Sequence, residues 1–374
     1  MKTAVIKFGG SSLCDADGFR RCASMLKNTD RGYFVVVSAP GKRFPDDKKM
    51  TDLLMDFANT RSLNTLNEIR GRIDGIIADL SLDIDVSDIF DGIVRRAQSG
   101  DTAYVVSRGE YLSALIMSGL TGYRFCDAAD LMTFTCGLLD EERTFPRVRD
   151  MCAEGPAVVT PGFYGSDGYG NIVLFPRGGG DISGSVIGCG VGADVYINVT
   201  DVDGVMSCDP RDSDDFVRLP HLSYSDAEFL SYFGAGVIHY DAVGFAAKYS
   251  LPINIVSLSG SQGGTFIDGN SDSFTGIVAA SRTSSLPFDA VLRYGVEALY
   301  GRKAFIGTVA DMSDGKTLSL LSDAIGRAGI RHFSACDSMR HCVIAVDEGD
   351  CRDIYYNIAK LTTTPDSSKI YTFV

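Results

Sequence analysis

Residues 3–12 read Thr3-Ala4-Val5-Ile6-Lys7-Phe8-Gly9-Gly10-Ser11-Ser12, an apolar run holding one lysine and broken by two glycines and two serines. A short run of this kind, bounded by glycine, reads as a strand buried on both faces. The chain then turns into a helix expected to start near Asp15. Strand, glycine turn and helix suit a phosphate. Gly9 and Gly10 let backbone N–H groups approach an anion, the helix N-terminus adds positive potential, and Lys7 supplies a point charge beside them. The turn is neither G-x-x-x-x-G-K-[ST] nor G-x-G-x-x-G, so a Walker loop and a dinucleotide turn are both excluded here.

Outward from this turn, apolar β-branched runs alternate with helical patterns. Tyr33–Ser38, Thr102–Val106, Ala157–Thr160, Ile172–Phe175 and Asp194–Val199 read as strands. Met50–Asn59, Leu63–Leu80 and Asp88–Gln98 carry apolar residues at three- and four-residue spacing, and Glu110–Ser118 and Ile182–Cys189 read as helices after glycine-containing turns. That alternation predicts an α/β domain with a mostly parallel sheet. A glycine- and serine-dense stretch, Gly260–Ser273, marks a boundary, and the break is placed at about residue 275, giving domains 1–275 and 276–374. Beyond it, strand Ala298–Val309, helix Thr317–Ala328, strands Arg331–Asp337 and His341–Val346, helix Cys351–Leu361 and strand Lys369–Val374 follow the ferredoxin-like βαββαβ order.

A second glycine cluster, Arg177-Gly178-Gly179-Gly180-Asp181, also follows a strand and precedes a helix. Beside the first it suggests two helix N-termini facing one polyanion, with Arg177 able to clamp a carboxylate and Asp181 able to orient a lysine or a metal-bound phosphate. The acidic loop Thr200–Arg211 lies at a strand's carboxyl end, where ligands sit in open α/β sheets. Ser107-Arg108-Gly109-Glu110 places a carboxylate in what reads as the first turn of a helix, a favourable position against the helix dipole. Taken alone, the first of these two segments is better explained as an acidic surface turn and the second as a favourable interaction with the helix dipole.

Composition narrows the class. The 374 residues carry 35 Lys and Arg against 48 Asp and Glu, a net charge of −13, the wrong sign for wrapping nucleic acid. Hydrophobic residues at 45% and charged residues at 22% describe a globular chain. The amino terminus has no signal-peptide pattern, and the weakly polar stretch 186–199 carries Asp194 and falls short of the ~20 residues a membrane helix needs, so a cytoplasmic protein is expected. Ten cysteines form no C-x-x-C pair and the four histidines no cluster, so reduced thiols are expected and no protein-held metal.

Taken in order, these segments resemble the aspartate kinases of the amino acid kinase family. Lys7–Ser12 is similar to K-F-G-G-[TS]-S, Val36-Val37-Ser38-Ala39 to V-V-S-A, Thr51–Leu54 to T-[ND]-x-L, and Ser107–Glu110 to S-x-G-E. Arg177–Asp181 resembles R-G-G-S-D, Thr200–Arg211 resembles T-D-V-D-G-V-Y-T-A-D-P-R, and Leu222–His239 resembles L-S-Y-x-E-A…G-A-K-V-L-H. The resemblance spans residues 1 to about 270. It implies an amino acid kinase fold and transfer of the ATP γ-phosphate, with Mg²⁺, to the side-chain carboxylate of L-aspartate, the entry to lysine and threonine biosynthesis.

By the same resemblance, Lys7 neutralises the moving phosphate, Gly9, Gly10 and Ser11 cradle it, and Asp181 organises lysine and phosphates. Thr51, Glu110 and Arg177 hold aspartate, Glu110 at the ammonium and Arg177 at the α-carboxylate. Thr200, Asp201, Asp209 and Arg211 line the nucleotide site. Three departures stand out: Gly180 for serine, Met206 for tyrosine, and Gly236 for the lysine of G-A-K-V-L-H. The extended loop Gly41–Met50 offers Lys42, Arg43, Lys48 and Lys49 as substitutes for that lysine, although a solvated basic loop is the simpler reading. The carboxyl-terminal region resembles an ACT-type regulatory module. It leaves open a module that dimerises and binds lysine or threonine, one kept for dimerisation, or a degenerate one; a homodimer or higher homo-oligomer is favoured. A kinase for a related amino-acid carboxylate and an inactive amino-acid sensor are the rival readings.

Overall fold

Strand β1 (Thr3–Phe8) is buried almost throughout because it pairs in parallel on both sides, with β2 (Gly32–Val37) and with β9 (Val195–Thr200). The computed structural model describes residues 3–27, 32–153, 155–211, 216–259, 263–270, 277–283, 303–310, 315–325, 332–336, 340–347 and 349–361. They pack into two compact units, the first formed by Met1–Asp201 with Lys248–Gly260 and the second by Val202–Ala247 with Ser261–Val374. Residues 202–247 thus group with the carboxyl-terminal part although they precede the expected break near residue 275.

In the first unit the parallel sheet runs β11 (Ile253–Ser257), β9, β1, β2, β6 (Val158–Pro161) and β3 (Arg124–Phe125). Period-two alternation sends Ala4, Ile6 and Phe8 to one face, with Val35, Val37 and Val199. That face carries a layer of helices: α1 (Ala16–Met25), α2 (Met50–Thr60), α3 (Leu63–Asp79), α4 (Ser87–Gln98) and α5 (Thr102–Thr121). Phe19, Leu53, Phe57, Ile69, Ile73, Phe90 and Ile116 fill the space between, a core sealed by the hydrophobic effect at ~25 cal/mol per Å² of apolar surface. Caps set the helix starts: Asp15 accepts the Gly18 N–H at 2.8 Å, and Asp101 accepts that of Tyr104 at 3.0 Å.

The opposite face, with Lys7 and Asn198, meets α8 (Gly179–Val191). A smaller sheet in the order β5 (Leu138–Leu139), β4 (Thr133–Thr135), β7 (Tyr164–Asp167), β8 (Ile172–Leu174) stands apart from the parallel one. Helices α6 (Ala128–Leu131) and α7 (Glu141–Ala153) flank it in sequence. Two expectations are corrected here. Thr102–Val106 is the first turn of α5 and not a strand, because the Asp101 cap nucleates a helix whose Val105 and Leu112 face the core. Ile172–Phe175 is a strand, but of the small antiparallel hairpin with β7.

In the second unit β10 (His221–Ser223) pairs in parallel with β12 (Thr265–Asp268), with α9 (Tyr224–Tyr232) following β10 and α10 (Tyr240–Lys248) leading back to the first unit. An antiparallel sheet runs β13 (Ile277–Thr283), β14 (Lys303–Ala310), β16 (His341–Asp347), β15 (His332–Cys336). Helices α11 (Gly315–Ile325) and α12 (Cys351–Ala359) complete a β-α-β-β-α order from β14 onward, as expected. The expected last strand, Lys369–Val374, lies outside the described residues, as does the 298–302 part of the expected first one. Beside β14 runs instead β13, which its short pattern after a glycine-serine stretch did not announce. No helix among the described residues is long and apolar enough to cross a membrane.

Candidate active site

Lys7 is fixed before any ligand arrives. Its place in β1 puts it opposite Asn198 of β9 in register and on the α8 side of the sheet. There its Nζ donates to Asp181 Oδ1 at 2.7 Å and to Asn198 Oδ1 at 3.4 Å, while Asn198 Nδ2 donates to the same Asp181 oxygen at 3.2 Å. Asn198 is fully buried and Lys7 is 9% exposed, so the cation is held with little water around it. In such a site a charge acts through a low dielectric and needs no reorganisation. Asp181 comes from the first turn of α8, whose start is set by Gly178 at φ 78°. Sequence reasoning finds Lys7 and Asp181 but misses Asn198, which joins them.

The glycine turn continues from Lys7 as a 3-10 turn over Gly10–Leu13. The Gly9 N–H donates to the Val199 carbonyl at 3.1 Å, so this amide is already engaged within the fold and not turned to a ligand. Gly10 meets Gly41 backbone to backbone: Gly41 N–H donates to Gly10 O at 2.8 Å. A Cβ on Gly41 would lie 2.6 Å from the Gly10 carbonyl carbon and oxygen, and one on Gly10 would lie 2.8 Å from Ala39 O, so both positions need glycine for the approach itself. The loop after β2 is held from behind by Arg72 of α3. Its Nη2 donates to Gly41 O at 2.7 Å and its Nη1 to Lys48 O at 2.8 Å.

The basic loop is mostly committed to itself. Arg43 forks onto Asp47 at 2.7 and 2.9 Å, holding that carboxyl well below its usual range, and Lys42 donates to Pro45 O at 3.1 Å. Lys48 and Lys49 are exposed.

Glu110 is the ninth residue of α5, not in the first turn of a helix, because α5 begins at the Asp101 cap. The helix dipole therefore has no part in its placement. Gly109 lets α5 press against Ala39 and Leu54, and the Ala39 N–H donates to the Glu110 carboxylate. Glu110 is 4% exposed, and its Oε2 is buried with no hydrogen-bond partner. Burial pushes its carboxyl up from 4.5 to about 8. Such an orphan acceptor fits a cationic donor such as an ammonium.

The remaining expected residues divide between the units. Ser11 lies in the 3-10 turn and is exposed; Thr51 is half-buried at the second position of α2; Arg177 is exposed just before α8. Thr200 ends β9 and its Oγ1 donates to Asp201 Oδ1 at 3.0 Å. Asp209 and Arg211 belong to the second unit, where Arg211 Nε and Nη2 fork onto Asp209 at 3.0 and 2.7 Å. Gly180 leaves room beside Lys7: a Cβ there would lie 3.0 Å from Ser38 Oγ and 3.5 Å from Lys7 Cε.

Lys7, Gly10, Ser38, Asn198 and Thr200 thus gather at the carboxyl ends of neighbouring parallel strands, where such sheets bind ligands. The amino acid kinase family pattern matches residues 2–257. The chain belongs to the amino acid kinase family. Aspartokinase 3 of Bacillus subtilis is 29% identical over 276 residues, 67% of this chain and 60% of that protein. An aspartokinase of Chlamydia pneumoniae is 30% identical over 286 residues, 71% of this chain and 63% of that protein. The chain therefore spans 60–63% of the length of these curated relatives. Among solved structures, the Clostridium acetobutylicum aspartate kinase matches with a TM-score of 0.79 at 24% identity, over 96% of this chain and 99% of that one. E. coli aspartokinase III in complex with aspartate and ADP matches at 0.81 and 18%, again over 96% and 99%. These likenesses give the amino acid kinase fold: a largely parallel sheet between helical layers.

Proposed function

We propose that this chain is an ATP-dependent kinase that transfers the γ-phosphate to the side-chain carboxylate of L-aspartate, giving 4-phospho-L-aspartate. The observation that carries the reading is the buried Lys7–Asp181–Asn198 cluster at the sheet's carboxyl ends. Phosphoryl transfer asks little covalent chemistry of a protein and much positioning and charge stabilisation. Lys7 would draw charge off the moving phosphoryl group, with Gly10 and Ser11 beside it, and Asp181 and Asn198 would hold the ammonium in place. Glu110, with its unpartnered Oε2, would take the ammonium of aspartate. Arg177, exposed at the mouth of α8, would take the α-carboxylate, and Thr51 would add a hydroxyl. Thr200, Asp201, Asp209 and Arg211 are assigned to the nucleotide. The names of the relatives support the same substrate.

Mg²⁺ belongs to this reading as a companion of ATP, neutralising phosphate charge when bound. The described residues contain no group of three His, Cys, Asp or Glu side chains that could hold a metal. Mg²⁺ as a rule keeps several of its waters and is carried largely by substrate phosphates. We assign residues 1–275 to catalysis and 276–374 to an ACT-like module for dimerisation, with lysine or threonine as its effector. The β-α-β-β-α order of the second unit supports this, and E. coli aspartokinase III has been crystallised with lysine and aspartate.

The test is aspartate-dependent ADP release by the purified chain with Mg-ATP, run beside Lys7→Ala. Activity in the parent that is lost in the variant is the expected result. Glutamate preferred over aspartate would redirect the substrate. Silence in both proteins, with aspartate still bound, would replace the kinase by a sensor.

A further inference from the structure

We propose that Tyr355, in the carboxyl-terminal helix α12, is a positioning residue for the loop that carries Asp209 and Arg211, its hydroxyl fixing the Asp209 amide. The inference rests on the assignment of that loop to the nucleotide. Three contacts tie the loop to the carboxyl-terminal sheet and the helices packed on it, all within the second unit. The Asp209 N–H donates to Tyr355 Oη at 2.6 Å. One step back, Ala280 of β13 donates its N–H to Ser207 O at 2.8 Å. Between them Cys208, 3% exposed, is packed into the apolar core formed by Ile306, Leu321, Ile344, Ile354 and Ile358.

The tyrosine is held as firmly as the loop. Its ring is 1% exposed in the same core, its hydroxyl also reaches Ala280 O at 3.4 Å, and Arg282 lies over the ring at 5.5 Å. The placement of Arg211 depends in turn on Asp209, whose carboxylate takes the Arg211 N–H at 2.9 Å and its guanidinium at 2.7 and 3.0 Å. The backbone of Asp209 thus sets where the Arg211 charge stands, and Tyr355 sets the backbone of Asp209. A buried phenol is used here as a peg: the ring fills the core and the hydroxyl reaches out of it to a backbone amide. By this route a movement of α12 reaches the loop without any side chain of that helix touching the nucleotide.

Tyr355→Phe tests this, since it keeps the ring in the core and removes only the hydroxyl. With the full chain, the KM for ATP is expected to rise about five- to tenfold, the factor for one orphaned amide, with the KM for aspartate within about twofold. Hydrogen exchange of the Asp209 amide should accelerate by a similar factor. A merely structural tyrosine would lower both affinities together or neither. Arg211→Ala is the companion. If it weakens ATP while Tyr355→Phe does not, the positioning role is overturned and the nucleotide loop stands. If neither changes the KM for ATP, the assignment of the loop falls and the inference with it.

Discussion

Glu110 gives a prediction with a definite sign. Its carboxyl is pushed from 4.5 up to about 8, so between those values the folded chain holds a proton that the unfolded chain has released. Stability therefore falls as pH rises through that window, and is fully present only below the unfolded value. At 1.36 kcal/mol per unit the cost approaches about 5 kcal/mol above the folded value, an order-of-magnitude figure for a group this buried. Glu110→Gln keeps the shape and discards the charge. Urea unfolding between about pH 6 and about pH 9 should show the parent losing stability and the variant losing far less. The same proton links to substrate. An ammonium seated at Oε2 needs the ionised carboxylate, so each aspartate bound near neutral pH should release up to one proton, and affinity should rise by as much as tenfold per pH unit until about pH 8. Calorimetry in two buffers of different ionisation enthalpy measures that proton directly. A parent that binds aspartate with no proton release and no pH dependence would refute the placement of the ammonium at Glu110.

Other perturbations draw on the same geometry. Gly41→Ala forces a Cβ against the Gly10 carbonyl at 2.6 Å, and should cost about 1–3 kcal/mol in thermal unfolding and lower kcat about tenfold or more by displacing the glycine turn. Arg72→Met strips the charged donor from the Gly41 and Lys48 carbonyls; a loss of about 3 kcal/mol in urea midpoint analysis is expected. Gly236→Lys meets only Gly234 O, at 3.9 Å from its Cβ, so it should leave stability within about 0.5 kcal/mol, and nucleotide titration should find ATP bound several-fold more tightly.

The strands and helices around Lys7 are legible because burial on two faces writes itself as an unbroken apolar run, and caps such as Asp15 are local. Val105 and Val106 mislead for the same reason: β-branched residues read as strand, while the Asp101 cap and the core spacing that make them helical extend beyond the run itself. Glu110 is legible as a residue but not in its place, since its depth depends on Gly109 admitting α5 against Ala39, a contact between distant segments. Asn198 leaves no signal at all. An amide inside Val195–Thr200 acquires meaning only through the register that sets it across from Lys7. Gly41 looks like the start of a basic loop, and its role as the close neighbour of Gly10 is written in three dimensions only.

The mounting of Lys7 has a kinetic side. Its strand is bonded along both edges, to Val36 on one side and Asn198 on the other, so its backbone exchanges with solvent only when the whole sheet comes apart. The exposed stretch Lys42–Asp46, outside the sheet, is held by isolated hydrogen bonds such as Lys42 to Pro45 O at 3.1 Å and opens at far lower cost. Under mild denaturant the rim of the strand ends should therefore loosen first and the central cation leave last, an order that amide exchange along Lys42–Asp46 and along β1 would show.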